Sequence, residues 1–244
     1  MNELAKKKRK NTRTFYNVIM ISALVIEVIS VALGMFLKDK NIAMIFNIIG
    51  IIVFVVFITL NIIFTVMMRK NENKEFSIIN NMMNQGKYQE TIEYLLNWEA
   101  KNYYDINNYR EAIILYMIAY CDLMLNNVDE AYNYLEQIEI EKQLKNESGN
   151  DCYVIYDAMA LFFLSSINKY KHNDKLTKYY YDLYLNEKDR LMNCVKKEES
   201  LVKKLNDLEL LFTLIIEEKE IDIAKVADNA CFKMQYIREL LKLN

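Results

Sequence analysis

Two stretches of the chain are apolar almost throughout, and the rest is periodic. Phe15 to Leu37 is a run of 23 residues, and Ile42 to Met68 a run of 27. A helix needs about 20 such residues to cross a bilayer, so each run predicts a spanning helix. The connection Lys38-Asp39-Lys40-Asn41 is short enough to make the two antiparallel neighbours. Beyond the charged junction 69–75, apolar residues recur at three- and four-residue spacing, the period of an amphipathic helix. The pattern predicts helices within 76–83, 88–100, 109–125 and 131–140, a helix–turn–helix over 160–185, and a last pair over 201–217 and 223–243. The chain has no proline and 4 glycines. Nothing breaks a helix by ring clash, and tight β-hairpins lack their usual turn residues. The expected fold is all-α, a two-helix transmembrane hairpin followed by a helical domain. Its parts are a basic N-terminus at 1–14, the hairpin at 15–68 (15–37 and 42–68), and a helical domain at 69–244.

Charge refines this picture. Net charge is −2 over 244 residues, but residues 1–70 carry ten Lys/Arg against three Asp/Glu, and residues 71–244 carry 21 against 30. Nine basic residues flank the outer ends of the hairpin and two lie in its turn. The positive-inside rule then places both termini in the cytoplasm, at the inner (cytoplasmic) membrane. The first run is too long for a signal-peptide core, and a second run follows it at once. The basic N-terminus suits anionic lipid, at about 1 kcal/mol per residue near the surface. The acidic helical domain speaks against nucleic acid as a ligand. Cys121, Cys152, Cys194 and Cys231 form no CxxC pair, and in a reducing compartment they read as small buried apolar residues. Lys outnumbers Arg 25 to 6, and with the excess of Asn, Ile and Tyr this reflects A/T-rich codons, as in many bacteria, rather than function.

Glu27 lies mid-span in the first run, where a charge costs about 2.5–3.5 kcal/mol. It is therefore expected to be protonated or paired. Ala23, Glu27, Ser30 and Gly34 share one face, and on the second run Ala43, Asn47 and Gly50 repeat the spacing. Small residues on facing stripes permit close helix packing. Three roles follow for this stripe. Glu27 bonds inside the hairpin to Ser30, Asn47 or a backbone carbonyl, it docks to another membrane protein or a second copy, or it lines an ion or proton path.

The helical domain carries one repeated local motif. Gly86-Lys87-Tyr88-Gln89-Glu90-Thr91-Ile92 and Asn126-Asn127-Val128-Asp129-Glu130-Ala131-Tyr132 each set an apolar residue in a turn, then an acid, then a small residue. These stretches resemble the turn and second-helix start of a tetratricopeptide (TPR) repeat, and Leu115, Ile118 and Ala119 match the large and small positions of its first helix. The resemblance covers about residues 75–243, with turns about 40 and 45 residues apart against a family period of 34. It implies stacked helix pairs with a concave groove lined by the first helix of each pair. The groove positions it implies are Phe76, Asn80, Met83 and Asn84 in the first unit and Ile113, Tyr116, Tyr120 and Met124 in the second. Ser165 and Asn168 are the third-unit candidates. Tyrosine and methionine on such a face suit a protein or peptide ligand.

Little points to catalysis. His172 is the one histidine and sits in the polar turn Lys171-His172-Asn173-Asp174. No phosphate loop, dinucleotide loop, nucleophile elbow or zinc-protease pair occurs. The expected protein is no enzyme and takes no metal or cofactor. It is a membrane-anchored interaction scaffold. The alternatives are an accessory subunit of a transporter or secretion complex docking through Glu27, and a homo-oligomeric conductor.

Overall fold

A computed structural model describes residues 40–101, 108–145, 151–219 and 229–243, with isolated helical positions at 25, 29 and 32. The described residues are all-helical, with no strand among them. In chain order the helices are α1 (Lys40–Asn84), α2 (Tyr88–Lys101), α3 (Asn108–Met124), α4 (Val128–Glu136), α5 (Ile140–Lys145), α6 (Asp151–Tyr170), α7 (Asp174–Val195), α8 (Glu199–Ile215) and, after a 3-10 turn at Ala230–Lys233, α9 (Gln235–Leu240). The chain divides into two compact units, residues 1–81 with 100–105, and residues 82–99 with 106–244.

In the first unit, α1 runs without a break through the second apolar run and through the charged junction that the sequence suggested as a boundary. Five of the seven junction residues are Arg, Lys or Glu, which favour helix, and no proline interrupts them, so the backbone ladder simply continues. Among the described residues, no helix is long and apolar enough to cross a membrane. Several side chains of the 42–68 run lie outside the described residues, as does nearly all of the first run. The transmembrane hairpin is thus not part of the established fold.

The second unit repeats one turn three times. Lys87 N–H donates to Met82 O and Gly86 N–H to Met83 O, both at 3.0 Å. This paired pattern closes a helix end by satisfying carbonyls that the helix leaves open, and it needs a left-handed residue at its corner. Gly86 supplies it with φ +74°. The same two bonds recur around Asn126 (φ 65°) and His172 (φ 58°). In each case one residue separates the corner from the next helix. Five residues past each corner stands a small buried side chain, Thr91, Ala131 or Thr177, and seven before it another buried residue, Ile79, Ala119 or Ser165. In the third turn the close approach is explicit, because Ser165 Oγ donates to Thr177 O at 2.9 Å. Asn173 also caps α7, accepting from Leu176 N–H at 3.3 Å.

The pairs α3/α4 and α6/α7 stack, and α8 continues the stack against both α6 and α7. At the centre is α6, which is buried all round from Ala160 to Asn168. A helix apolar on every side can exist only where neighbours cover every side, and α3, α4, α5, α7, α8 and α9 all pack on it. Phe162 meets Phe212 of α8 edge-on at 5.2 Å, and Tyr184 of α7 stacks on Phe212 at 4.2 Å.

The periodic pattern stops at residue 140, but a further helix, α5, occupies Ile140–Lys145. One sequence expectation gives way. The expected helix over 223–243 is, in its described part, a 3-10 turn and a six-residue helix broken by Met234, whose ψ of 126° is extended. Asn229 caps the 3-10 turn, its side-chain oxygen accepting from Cys231 N–H at 3.0 Å.

Candidate interaction groove

The first helices of the stacked pairs, α3 and α6, lie side by side and present a shared face. From α3 it takes Tyr116 and Tyr120, ten and six residues before the corner at Asn126, both beside Cys231. From α6 it takes Ser166 and Tyr170, six and two residues before the corner at His172, both against Tyr236. Tyr116 packs edge-on against Tyr156 at 5.2 Å and stacked on Phe163 at 5.9 Å. Tyr120 tilts onto Phe163 at 6.4 Å.

This face is covered. The segment 229–243 folds over α3 and α6, and Cys231, Met234, Tyr236 and Ile237 are at most 1% exposed. Tyr236 Oη and Ser166 Oγ are 3.1 Å apart in the interior. Tyr170 stands edge-on to the Tyr236 ring at 5.9 Å and donates its hydroxyl to Glu239 at 2.7 Å. That bond holds the Glu239 carboxyl below its usual range and raises the Tyr170 phenol. At the edge, Lys169 donates to Ile216 O at 3.2 Å and pairs with Glu218 at 2.6 Å. Burial pushes the Cys231 thiol up to about 12, and it raises the phenols of Tyr116, Tyr120 and Tyr236 strongly. All of these groups stay neutral at physiological pH, so the face is a neutral aromatic surface with hydroxyls as its polar handles.

The residues picked out from the sequence fall into three groups. Tyr116 and Tyr120 belong to the α3 side of the face, but Tyr116 is only 7% exposed and is packed as core, and Met124 is half-buried at the end of α3. Ser165 and Asn168 do not face it. Ser165 is turned into the α6/α7 contact, and Asn168 Nδ2 donates to Leu164 O in its own helix at 2.7 Å. The facing serine is one position on, Ser166, and counting six back from His172, as Tyr120 lies from Asn126, would have found it. Of the first-unit candidates on α1, Phe76 and Met83 are half-buried, and Asn80 and Asn84 are exposed. Ala23, Glu27, Ser30 and Gly34 lie outside the described residues, as does the side chain of Asn47, while Gly50 is buried within α1. The contribution of 229–243 had no local signal, because its partners lie about 70 residues earlier.

Other chemistry is sparse. No three metal-ligating side chains converge among the described residues. A polar recess of about 650 Å³ opens between the second and third turns, with Asn127, Asp129, Lys171 and His172 on its walls. Lys171 spans it, pairing with Asp129 at 2.6 Å and lying 4.6 Å over the Tyr132 ring. No family model, curated protein or solved structure matches the chain.

Proposed function

We propose that this chain is a membrane-anchored interaction protein. Its TPR-like helical domain binds a protein or peptide segment on the α3/α6 face, and its N-terminal apolar helices hold it at the cytoplasmic side of the inner membrane. One observation carries the anchor. Met44, Ile45, Ile48, Ile51, Ile52, Phe54, Val55, Val56, Ile58, Ile62 and Val66 are each 40–63% exposed along α1. At 3.6 residues per turn they cover about 200° of the helix. Monomers in water rarely leave so large an apolar face open, and lipid is the medium that accepts it without a protein partner. The interaction role is supported by the stacked pairs and by the aromatic, hydroxyl-bearing face they present.

The test is alkaline carbonate extraction of membranes holding the full chain. The wild type is expected to stay in the pellet. A variant with Ile51→Lys, Val55→Lys and Ile62→Lys, three substitutions on one side of α1, is expected to move to the supernatant, each lysine costing about 2.5–3.5 kcal/mol mid-bilayer. Complete extraction of the wild type would defeat the anchor.

A further inference from the structure

We propose that residues 229–243 are a built-in, displaceable occupant of the α3/α6 face. The partner it gives way to is a segment of the same chemistry, with a small apolar residue, a methionine three positions on, an adjacent tyrosine and aliphatic residue, and a carboxylate beyond them. This deepens the interaction reading above and rests on it for the identity of the ligand.

The segment is built as a ligand is built. Cys231, Met234, Tyr236 and Ile237 are buried, while Lys233, Gln235, Arg238 and Glu239 between and after them are exposed. One edge is inserted and the other faces out. It rests on the first helices of two successive pairs, the surface that helical repeats of this kind leave for peptides. Its specific contacts are those of a bound side chain. The Tyr236 hydroxyl finds its buried partner in Ser166, and Glu239 accepts from Tyr170 at the rim. A segment lacking the tyrosine hydroxyl would leave Ser166 with its own Phe163 carbonyl, 3.2 Å away, as its hydrogen-bond partner.

The segment has little structure of its own to lose. A four-residue 3-10 turn and a six-residue helix are far below the length at which an isolated helix holds in water, so its order is borrowed from the face it covers. Apart from the Tyr236–Ser166 pair and the half-buried cap of Asn229 on Cys231 N–H, its side-chain hydrogen bonds are exposed, including Gln235 to Glu239 at 2.8 Å within the segment itself. Its hold is the burial of four side chains, Cys231, Met234, Tyr236 and Ile237, with one buried side-chain hydrogen bond, and a short element held at so few points opens locally while the rest stays folded. When this one opens, Tyr116, Tyr120, Ser166 and Tyr170 come free together, and a competing segment replaces the same contacts.

Two measurements on the full chain in mild-detergent micelles test this. In native-state hydrogen exchange, amides from Met234 to Leu243 are expected to exchange faster than those of α3 and α6. Equal protection would make the segment permanent core and overturn the proposal. In the second, a fluorescein-labelled peptide of residues 229–243 is titrated into wild type and into Met234→Glu/Ile237→Glu, which expels the native segment. The variant is expected to keep wild-type helical content and to bind the peptide at least about tenfold more tightly, the ratio reporting the open fraction of the wild type. Replacing the peptide's tyrosine by phenylalanine is expected to weaken binding several-fold. Equal binding to both proteins, no binding to the variant, or loss of the variant's fold would each overturn the proposal. None of these outcomes bears on the carbonate result, so the anchor and the groove fail separately.

Discussion

Asp157 is a carboxyl that burial takes away from its ordinary behaviour. It sits on α6 at 7% exposure, and burial raises its carboxyl from 3.8 to about 7 against the opposing pull of Arg190. A carboxyl raised on folding binds more protons in the folded than in the unfolded chain between those two values. Stability from this group is therefore greatest at low pH and is lost as pH rises from about 4 to about 7. Asp157→Asn is expected to raise the melting temperature at pH 8 and to flatten its dependence on pH over that window, as thermal melts at several pH values would show. An equal loss of stability at all pH values would mean that the carboxylate has a structural partner instead. The turn corners make a second test at this scale. A Cβ on Gly86 meets nothing within 4 Å, so Gly86→Ala is strained only by its φ of +74°, a cost of about 1 kcal/mol. His172→Gly, at φ 58°, is expected to change stability in the opposite direction by up to about 1 kcal/mol. Denaturant midpoints of the two variants check the opposed signs.

Among the elements, α6 holds the second unit together. Leu161 is fully buried in it, whereas Leu185 on α7 is 47% exposed. Leu161→Ala is expected to cost about 2–5 kcal/mol through the cavity it leaves, and Leu185→Ala less than about 0.5 kcal/mol. Urea unfolding of both variants separates them. A small loss at Leu161 would mean that α3, α7 and α8 can collapse onto the space, contrary to their dense aromatic contacts.

Across the whole molecule, cysteine access reports which parts open. Cys121 and Cys231 are buried, with thiols pushed up to about 12, and Cys194 is half-buried. Since the thiolate is the reactive form, iodoacetamide at pH 8 is expected, among these three, to modify Cys194 first, Cys231 on release of the C-terminal segment, and Cys121 last. Mass spectrometry of timed samples gives the order. Modification of Cys121 ahead of Cys231 would contradict the segment as the first part to open.

The features legible in the sequence were those set by neighbours along the chain. Apolar runs, three-to-four periodicity and the lack of proline led to an all-α chain, and the motifs at 86–92 and 126–132 marked two of the three equivalent turns. Helix ladders and turn bonds join residues within about five positions, so local residue types suffice to specify them. Tertiary structure decided the rest. It turned Ser165 inward and Ser166 toward the face, a one-residue difference set by which neighbour α6 packs against. It sent Tyr236 to a partner 70 residues earlier, broke the described part of the expected last helix at Met234, and buried the carboxyl of Asp157. These outcomes depend on which surfaces meet. The local pattern shows only that a helix has an apolar face, whereas packing against particular neighbours determines what covers it.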